Sequence, residues 1–184
     1  LIPTFRWRGI ATTNYDRFIE YGCDKAGLYV LDRMRGKIEP QLRSTGMGLD
    51  YHYDPPGIRG EPRYVEGFVR LTKLHGSVDW IFSNDRIIRS SLEFGSKKED
   101  LLDKSSQVVI YPNSYKGIET AFYPYSDLFR DFSNAICQPN SILVVYGYGF
   151  GDSHINRIIN DMLTIPSTHL VIISFSNAQN RINK

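Results

Sequence analysis

Short apolar segments alternate along the chain with segments in which apolar residues recur at helical spacing. RGIATT (8–13), SILVVYG (141–147) and HLVIISF (169–175) are typical of buried strands. Helical spacing follows the first two of these strands, in DRFIEYGCDKAG (16–27) and in SHINRIINDML (153–163). Strands that lead directly into helices predict a parallel α/β sheet covered by helices on both faces.

The middle of the chain adds further elements to this pattern. VEGFVRLTKLHGSVDWIF (65–82) predicts a strand that is broken at His75, Gly76 and Ser77, and VVIYP (108–112) predicts another strand. YSDLFRDFSNAIC (125–137) predicts an amphipathic helix capped by Ser126 or Asp127. The predicted fold is therefore an α/β fold built on a parallel sheet.

We expect one domain over residues 1–184, with a loop or insertion at about 24–66. Within that range, residues 45–63 hold Gly, Pro and Asp at a density that argues against both helix and strand. The chain opens at Leu1 almost inside a strand, so we expect an upstream segment that is missing here.

Composition narrows the class of protein. With 184 residues, of which 41% are hydrophobic, the chain can bury a core. A net charge of +2, from 22 basic and 20 acidic residues, does not imply direct binding to nucleic acid. The longest apolar run, ILVVY (142–146), is far shorter than the roughly 20 residues that cross a bilayer. Cys23 and Cys137 lack C-x-x-C spacing, so we expect a cytoplasmic protein with neither a disulfide framework nor a metal site.

Polar clusters follow the predicted strands at their carboxyl ends. They are residues 12–16, 75–77, 147–152 and 174–177. In a parallel α/β sheet, ligands bind at this edge, where strands turn into helices. GYGFGD (147–152) would let backbone approach an anion at a helix N-terminus, although it lacks the G-x-G-x-x-G spacing of the common dinucleotide fingerprint.

Each cluster also has a purely structural interpretation. Asn14 and Asp16 are residue types that cap helices, and Asp152 is a candidate N-cap of the helix after the glycine turn. His75 is compatible with a hydrogen-bonded core histidine. The functional interpretation is favoured because three separate loops with reactive or ligand-binding side chains map to one sheet edge.

These motifs resemble those of a known family. TTNYD (12–16) resembles the T-x-N-x-D motif of the sirtuin family, and LHGS (74–77) resembles its histidine-glycine motif. VVYGYGFGDSHINRII (144–159) resembles the late strand, loop and helix of bacterial sirtuin-like proteins, many of which are antiphage defence effectors. The resemblance covers about residues 9 to 178, except the stretch near 24–66.

The resemblance implies a Rossmann-like fold, NAD as the ligand, and catalytic roles for Asn14 and His75. Asn14 would orient the nicotinamide ribose and the attacking water, and His75 would act as general base or activate the ribose. The remaining implied NAD-binding residues are Thr12, Thr13, Asp16, Gly76, Ser77, Gly147, Tyr148, Gly149, Asp152 and Asn177.

Two departures from the sirtuin pattern limit the activity that the resemblance implies. Residues 80–108 contain no cysteine, whereas sirtuin deacylases carry a four-cysteine zinc module after the histidine motif. The family's Gly-Ala-Gly pyrophosphate loop, expected before the first motif, is absent as well. The resemblance, together with these departures, therefore implies an NAD⁺ hydrolase, the effector domain of a bacterial antiphage system that causes abortive infection.

Two other functions stay open at this point. One is a non-catalytic module that senses NAD or ADP-ribose, and the other is a protein deacylase, which the missing cysteines disfavour. By analogy with similar bacterial proteins, we expect a homo-oligomer and, as a partner, a HerA-type hexameric ATPase or another component of a defence system.

Overall fold

A computed structural model of the chain describes residues 9–43, 52–53, 63–64, 67–91, 107–109 and 123–174. The chain divides into two compact units, Leu1–Glu119 and Thr120–Lys184, and each unit is described by itself. The prediction of a single domain over residues 1–184 stays a prediction. In the described part of the chain, no helix is long and apolar enough to cross a membrane.

The first unit contains a three-stranded parallel sheet. Its strands are β1 (Gly9–Thr12), β2 (Tyr29–Leu31) and β7 (Phe68–Lys73), in the order β1-β7-β2. The central strand, β7, buries Val69 and Leu71 to 2% exposure, as expected for a strand with neighbours on both sides. The predicted α/β class with a parallel sheet is confirmed.

Helix α1 (Phe18–Lys25) connects the first two parallel strands and is shorter than its sequence pattern suggested. It buries Cys23 completely, while Phe18 is 67% exposed. Gly27 follows the helix with φ of +68°, a left-handed conformation that only glycine adopts without strain. This turn ends the helix and sends the chain into β2.

A second, antiparallel sheet of five strands was not predicted from the sequence. Its order is β10-β8-β9-β4-β3. The strands are β3 (Met34–Arg35), β4 (Gln41–Leu42), β8 (Gly76–Ser83), β9 (Arg86–Arg89) and β10 (Gln107–Val109). Strands β8 and β9 form a hairpin around Asn84 and Asp85, whose φ values of 50° and 58° are those of a tight primed turn.

Two sequence predictions in the first unit need correction. The break at residues 75–77 is shorter than predicted, because β7 ends at Lys73 and β8 already begins at Gly76. The sequence pattern also argued against strand in residues 45–63. The structure nevertheless has β5 (His52–Tyr53) in this range, and β5 pairs with β6 (Arg63–Tyr64), which begins at the last residue of the range. The Pro and Gly residues between these strands do not prevent short pairing on either side of them.

The second unit alternates helices with parallel strands. Its elements are α2 (Tyr125–Ile136), β11 (Ile142–Tyr146), α3 (Ser153–Leu163) and β12 (His169–Ile173). Strands β11 and β12 pair in parallel over their whole length. Both helices place their apolar residues on one buried face, so the predicted helices and strands of this unit are confirmed.

The predicted cap of α2 was wrong. Pro124 occupies the N-cap position, and no side chain caps this helix end. Asp127 lies in the first turn instead, where its carboxylate accepts a hydrogen bond of 2.7 Å from Arg130. Proline is favoured where a helix begins because its missing N–H would have no partner there.

Candidate functional site

The first two predicted clusters lie at one edge of the parallel sheet. Strands β1 and β7 run in the same direction and end together, with Thr12 paired to Lys73. Asn14 and His75 each lie two residues beyond this last pair. The sheet register therefore places the two proposed catalytic residues on neighbouring loops at the carboxyl edge.

Backbone hydrogen bonds tie these two loops together. The Leu74 N–H donates to the carbonyl of Thr12 at 2.9 Å, and the Val78 N–H donates to the carbonyl of Tyr15 at 3.0 Å. The rings of Tyr15 and His75 also approach each other, with centroids 6.4 Å apart and planes tilted by 32°. The positions of the two loops are thus coupled directly.

Some side chains of the first loop accept hydrogen bonds from backbone N–H groups, and others do not. The Thr12 hydroxyl accepts the Asn14 N–H at 3.1 Å, and the Asp16 carboxylate accepts the Phe18 N–H at 3.0 Å. Asp16 therefore braces the start of α1 from one residue before the N-cap, which is Arg17 and has no side-chain cap. The side-chain amide of Asn14 is exposed and, within the described residues, forms no hydrogen bond. Thr13 is half-buried beside it.

The histidine turn is mostly buried. His75 is 5% exposed and Ser77 is fully buried. Gly76 has φ of +84°, so this tight turn requires glycine. The Ser77 hydroxyl donates to the carbonyl of Tyr15 at 3.3 Å and accepts from Lys73 at 2.8 Å. This hydroxyl is part of the connection between the loops.

Lys73 is a residue of the site that the sequence prediction missed. It is 1% exposed at the end of β7, and its ammonium group contacts the first loop, Ser77 and Glu20. The signal was present in the alternation of β7, since Val69, Leu71 and Lys73 occupy successive positions of the same face. A lysine in register with two core residues must find buried partners.

Next to this network, an ion-pair cluster joins α1 to the antiparallel sheet. Asp79 is 1% exposed and lies 3.5 Å from Arg17 and 3.4 Å from Arg89, which also pairs with Asp32. Burial alone lowers the pKa of Arg89, but Asp32 and Asp79 outweigh burial and raise that pKa above its ordinary value. The guanidinium therefore stays charged.

These ion pairs line a pocket of about 350 Å³. Its wall includes Arg17, Glu20, Asp32, Asp79 and Arg89. The predicted site residues within the described ranges do not line it. The pocket is therefore a separate feature of the first unit.

The glycine loop belongs to the second unit. Asp152 caps α3 by accepting the N–H groups of His154 at 3.0 Å and Ile155 at 3.4 Å. The Tyr148 hydroxyl donates to the Asp152 carbonyl and interacts with Asn156, both at 3.1 Å. Asp152 thus has the structural role that the capping interpretation predicted, and these contacts hold the loop to its own helix.

The glycines of this loop differ in what they require. Gly147 has φ of +66°, which disfavours other residues. Gly149 has no such φ, and a Cβ atom added there would meet nothing within 4 Å. Neither local backbone strain nor packing requires glycine at position 149, so the space above it remains open to a ligand.

The structure thus brings residues 12–16 and 75–77 together within the first unit. Residues 147–152 form a loop of the second unit. Asn177 lies outside the described residues, and Ser174 is the last described residue of its cluster. Among the described residues, no group of three or more His, Cys, Asp or Glu side chains is arranged to hold a metal ion.

Comparison with known proteins identifies the family. A search of curated proteins found no match. Residues 8–184 match the family described as SIR2-like domain, whose members bind NAD and are in general NAD-dependent enzymes. Because this match spans almost the whole sequence, the chain belongs to the SIR2-like domain family.

Proposed function

We propose that this protein is an NAD⁺ hydrolase that releases nicotinamide and ADP-ribose. The observation that carries the proposal is the sheet register, which places Asn14 and His75 equally far beyond the paired residues Thr12 and Lys73. An exposed amide and a buried imidazole then lie on coupled loops at the ligand-binding edge.

The proposed reaction needs few protein groups. The bond between the ribose C1′ atom and the pyridinium nitrogen breaks, and its electron pair neutralises the positive charge of the leaving nicotinamide. A water oxygen bonds to C1′, and His75 accepts the proton that this water loses. No acid has to protonate the leaving group, whereas ordinary glycosidases need a carboxylic acid for that step.

Asn14 and His75 would supply different parts of the rate acceleration. A positioned base contributes roughly 100- to 10,000-fold. The Asn14 amide would hold the ribose and the attacking water in line, which replaces a bimolecular encounter by a prearranged one. The exposure of Asn14 suggests that the substrate approaches from its side of the edge, toward the shielded imidazole of His75.

NAD turnover by the full-length protein under its natural trigger tests this function. We expect Asn14→Ala to lower turnover by at least about 100-fold while leaving the melting temperature unchanged, because no described hydrogen bond involves the Asn14 side chain. His75→Ala should lower turnover at least as much. Exposed residues of the same types in the second unit, changed as Asn160→Ala and His169→Ala, are the matched controls.

Equal turnover by the wild type and the Asn14→Ala variant would contradict the proposed roles. Circular dichroism of the His75→Ala variant is required beside the activity assay, since His75 is buried. A loss of activity counts only if this variant keeps its helical signal.

One observation favours a non-catalytic alternative. His75 is only 5% exposed and packs near Tyr15, which also suits a structural histidine in a module that senses NAD or ADP-ribose. Calorimetric binding of NAD without release of nicotinamide, under every activating condition, would favour this module over the hydrolase.

Protein deacylation receives less support. The segment after His75 forms the β8–β9 hairpin, with Trp80 and Ile87 each 1% exposed in its core, and residues 80–108 contain no cysteine. Packed apolar side chains would stabilise this region without the zinc module of sirtuin deacylases. An acyl-lysine peptide assay tests this alternative.

We place the proposed hydrolase in a bacterial antiphage system that causes abortive infection. The support is the resemblance of residues 144–159 to sirtuin-like defence proteins. In this setting the domain acts in the cytoplasm as a homo-oligomer, together with a HerA-type hexameric ATPase that controls NAD consumption. Co-purification with such an ATPase, and NAD loss in cells only after phage infection, would support this assignment.

A further inference from the structure

Lys73 places a positive charge in the interior of the first unit. Its side chain is 1% exposed, and its ammonium nitrogen lies 3.0 Å from Glu20 Oε1 and 2.8 Å from Ser77 Oγ. It also donates to two backbone carbonyls, that of Tyr15 at 3.3 Å and that of Asp16. Four acceptors thus surround a group that has three hydrogens to donate.

Such a group is costly to bury unless its partners compensate it. Taking an ammonium ion out of water costs several kcal/mol, and removing one member of a buried ion pair is strongly destabilising. Glu20 supplies the opposite charge, and its side chain is 18% exposed. A charge pair alone would not require the two carbonyl contacts, because a lysine at the surface could pair with Glu20 equally well.

The carbonyl contacts point to a more specific role. Tyr15 and Asp16 directly follow Asn14, and Ser77 lies two residues beyond His75. One ammonium group therefore holds the backbone after Asn14, the turn that carries His75, and helix α1. It acts past the last paired residues of β1 and β7, beside the two backbone hydrogen bonds, Leu74 to Thr12 and Val78 to Tyr15, that also join these loops.

We propose that Lys73 is a positioning residue that sets the distance between Asn14 and His75. This inference rests on the proposed NAD hydrolase function. Lys73 does not act on the substrate, since all its hydrogens are directed to protein acceptors. Its effect passes through the Tyr15 and Asp16 carbonyls, and a displacement of about 1 Å in this loop would lower the rate roughly 100-fold.

The main rival is that Lys73 only balances the charge of Glu20. The two roles separate in a double variant, Lys73→Met with Glu20→Gln, which removes both charges while keeping the shape of residue 20 and an unbranched side chain at residue 73. If charge balance is the whole role, this variant recovers stability and activity together. If Lys73 positions the loop, the variant recovers stability but not activity.

The experiment compares Lys73→Met, Glu20→Gln and the double variant in the full-length protein. We expect Lys73→Met alone to lower the melting temperature by at least about 5 °C, because Glu20 loses its buried partner. The double variant should recover most of that shift yet keep kcat about 10- to 100-fold below wild type, with KM changed less than about 3-fold. Recovery of kcat in the double variant would overturn the proposal.

Glu20→Gln is the matched control, and it keeps the inference testable if Lys73→Met does not fold. This variant retains the ammonium group and its carbonyl contacts, so kcat should stay within about 3-fold of wild type even if the melting temperature falls. A fall in kcat for Glu20→Gln as large as that of the double variant would assign the effect to charge, against our proposal.

Hydrogen exchange separates a failure of this inference from a failure of the proposed function. Backbone amides of residues 13–18 should exchange at least about 10-fold faster in the double variant than in Glu20→Gln, in the absence of NAD. A wild type that never hydrolyses NAD would refute the hydrolase, while the exchange rates would still test the loop attachment. Equal exchange in the two variants would refute the positioning role of Lys73.

Discussion

The loop after β1 and the loop after β11 look alike in sequence but offer a ligand different groups. Each follows a parallel strand, and each contains an aspartate that accepts N–H groups at the start of a helix, Asp16 before α1 and Asp152 before α3. In the first loop, Asn14 keeps its side-chain amide exposed. In the second, the Tyr148 hydroxyl bonds to Asn156, and the Asn156 amide donates to the Phe150 carbonyl. A Cβ atom added at Gly149 would meet nothing within 4 Å.

The difference shows what a polar motif can and cannot reveal. Both loops contain the residue types that bind ligands, yet hydrogen bonds within the protein occupy most of their side chains. Among the described residues of the two loops, the Asn14 side-chain amide forms no hydrogen bond, and Gly149 is exposed. We therefore expect the first loop to contribute chemistry, and the second to contribute close backbone approach.

The largest effect that tests this contrast concerns Gly149. Because a Cβ atom fits there without a contact inside 4 Å, Gly149→Ala should not lower the free energy of unfolding and should raise it by about 0.4 to 1 kcal/mol. If a ligand lies against this backbone, the added methyl group should weaken ADP-ribose binding about 10-fold. Isothermal titration with ADP-ribose measures this change without turnover.

Gly27 provides the matched control in the first unit. Gly27→Ala also adds a methyl group in open space, but at φ of +68° it should lower stability by about 1 kcal/mol. ADP-ribose affinity should be unaffected. If Gly149→Ala binds as tightly as the wild type, the open backbone of the second loop has no role in binding.

Sequence periodicity predicted the regular elements of the second unit well. Helix α3 matches its predicted range of 153–163, because Asp152 caps it and Pro166 follows its end. In the first unit, the short strand β2 and the β8–β9 hairpin were missed. The hairpin had a usable signal in Asn84-Asp85, residue types that tolerate the positive φ of primed turns.

The sequence was enough to locate the candidate site, but not to assign a role to each of its residues. Parallel strands place residues 12–16 and 75–77 at one edge, and that much followed from the pattern. Whether Asp16 or Asn14 keeps an available side chain depends on hydrogen bonds that no spacing rule specifies. Lys73 is not part of the histidine-glycine motif. Only its register with the buried residues Val69 and Leu71 on β7 marks it as a residue of the site.

A smaller effect compares the two aspartates that accept N–H groups at helix starts, the N-cap Asp152 of α3 and Asp16 before α1. Asp152→Ala should lower the free energy of unfolding by about 0.5 to 2 kcal/mol, because two N–H groups lose their acceptor, whereas Asp152→Asn should change it little. Asp16→Ala should be milder, since Asp16 accepts one N–H and is more exposed. Urea denaturation of the three variants measures these differences. Equal losses for Asp152→Ala and Asp152→Asn would show that the capping oxygen is not what stabilises α3.

A further comparison uses the two cysteines, one in each unit. Burial foremost, and then the nearby carboxylates of Glu20 and Asp24, raise the pKa of the Cys23 thiol above its ordinary value. Since the thiolate is the reactive form and Cys23 is fully buried in α1, iodoacetamide at pH 8 should modify half-buried Cys137 at least about 10-fold faster. Peptide mass mapping over time follows both sites, with Cys137→Ser as the control.

The same shift makes the stability of the first unit depend on pH. The pKa of the Cys23 thiol is higher in the folded state than in the unfolded state. Its contribution to stability is therefore complete below the unfolded pKa, about 8.5, and is lost as the pH rises through the folded pKa. We expect the unfolding free energy to fall above about pH 8.5 in the wild type and to fall less steeply in Cys23→Ala. Parallel pH dependence in the two proteins, or faster labelling of Cys23 than of Cys137, would mean that α1 opens readily to solvent. An open α1 would also weaken the distinction drawn between the two loops, because Asp16 braces the first loop through this helix.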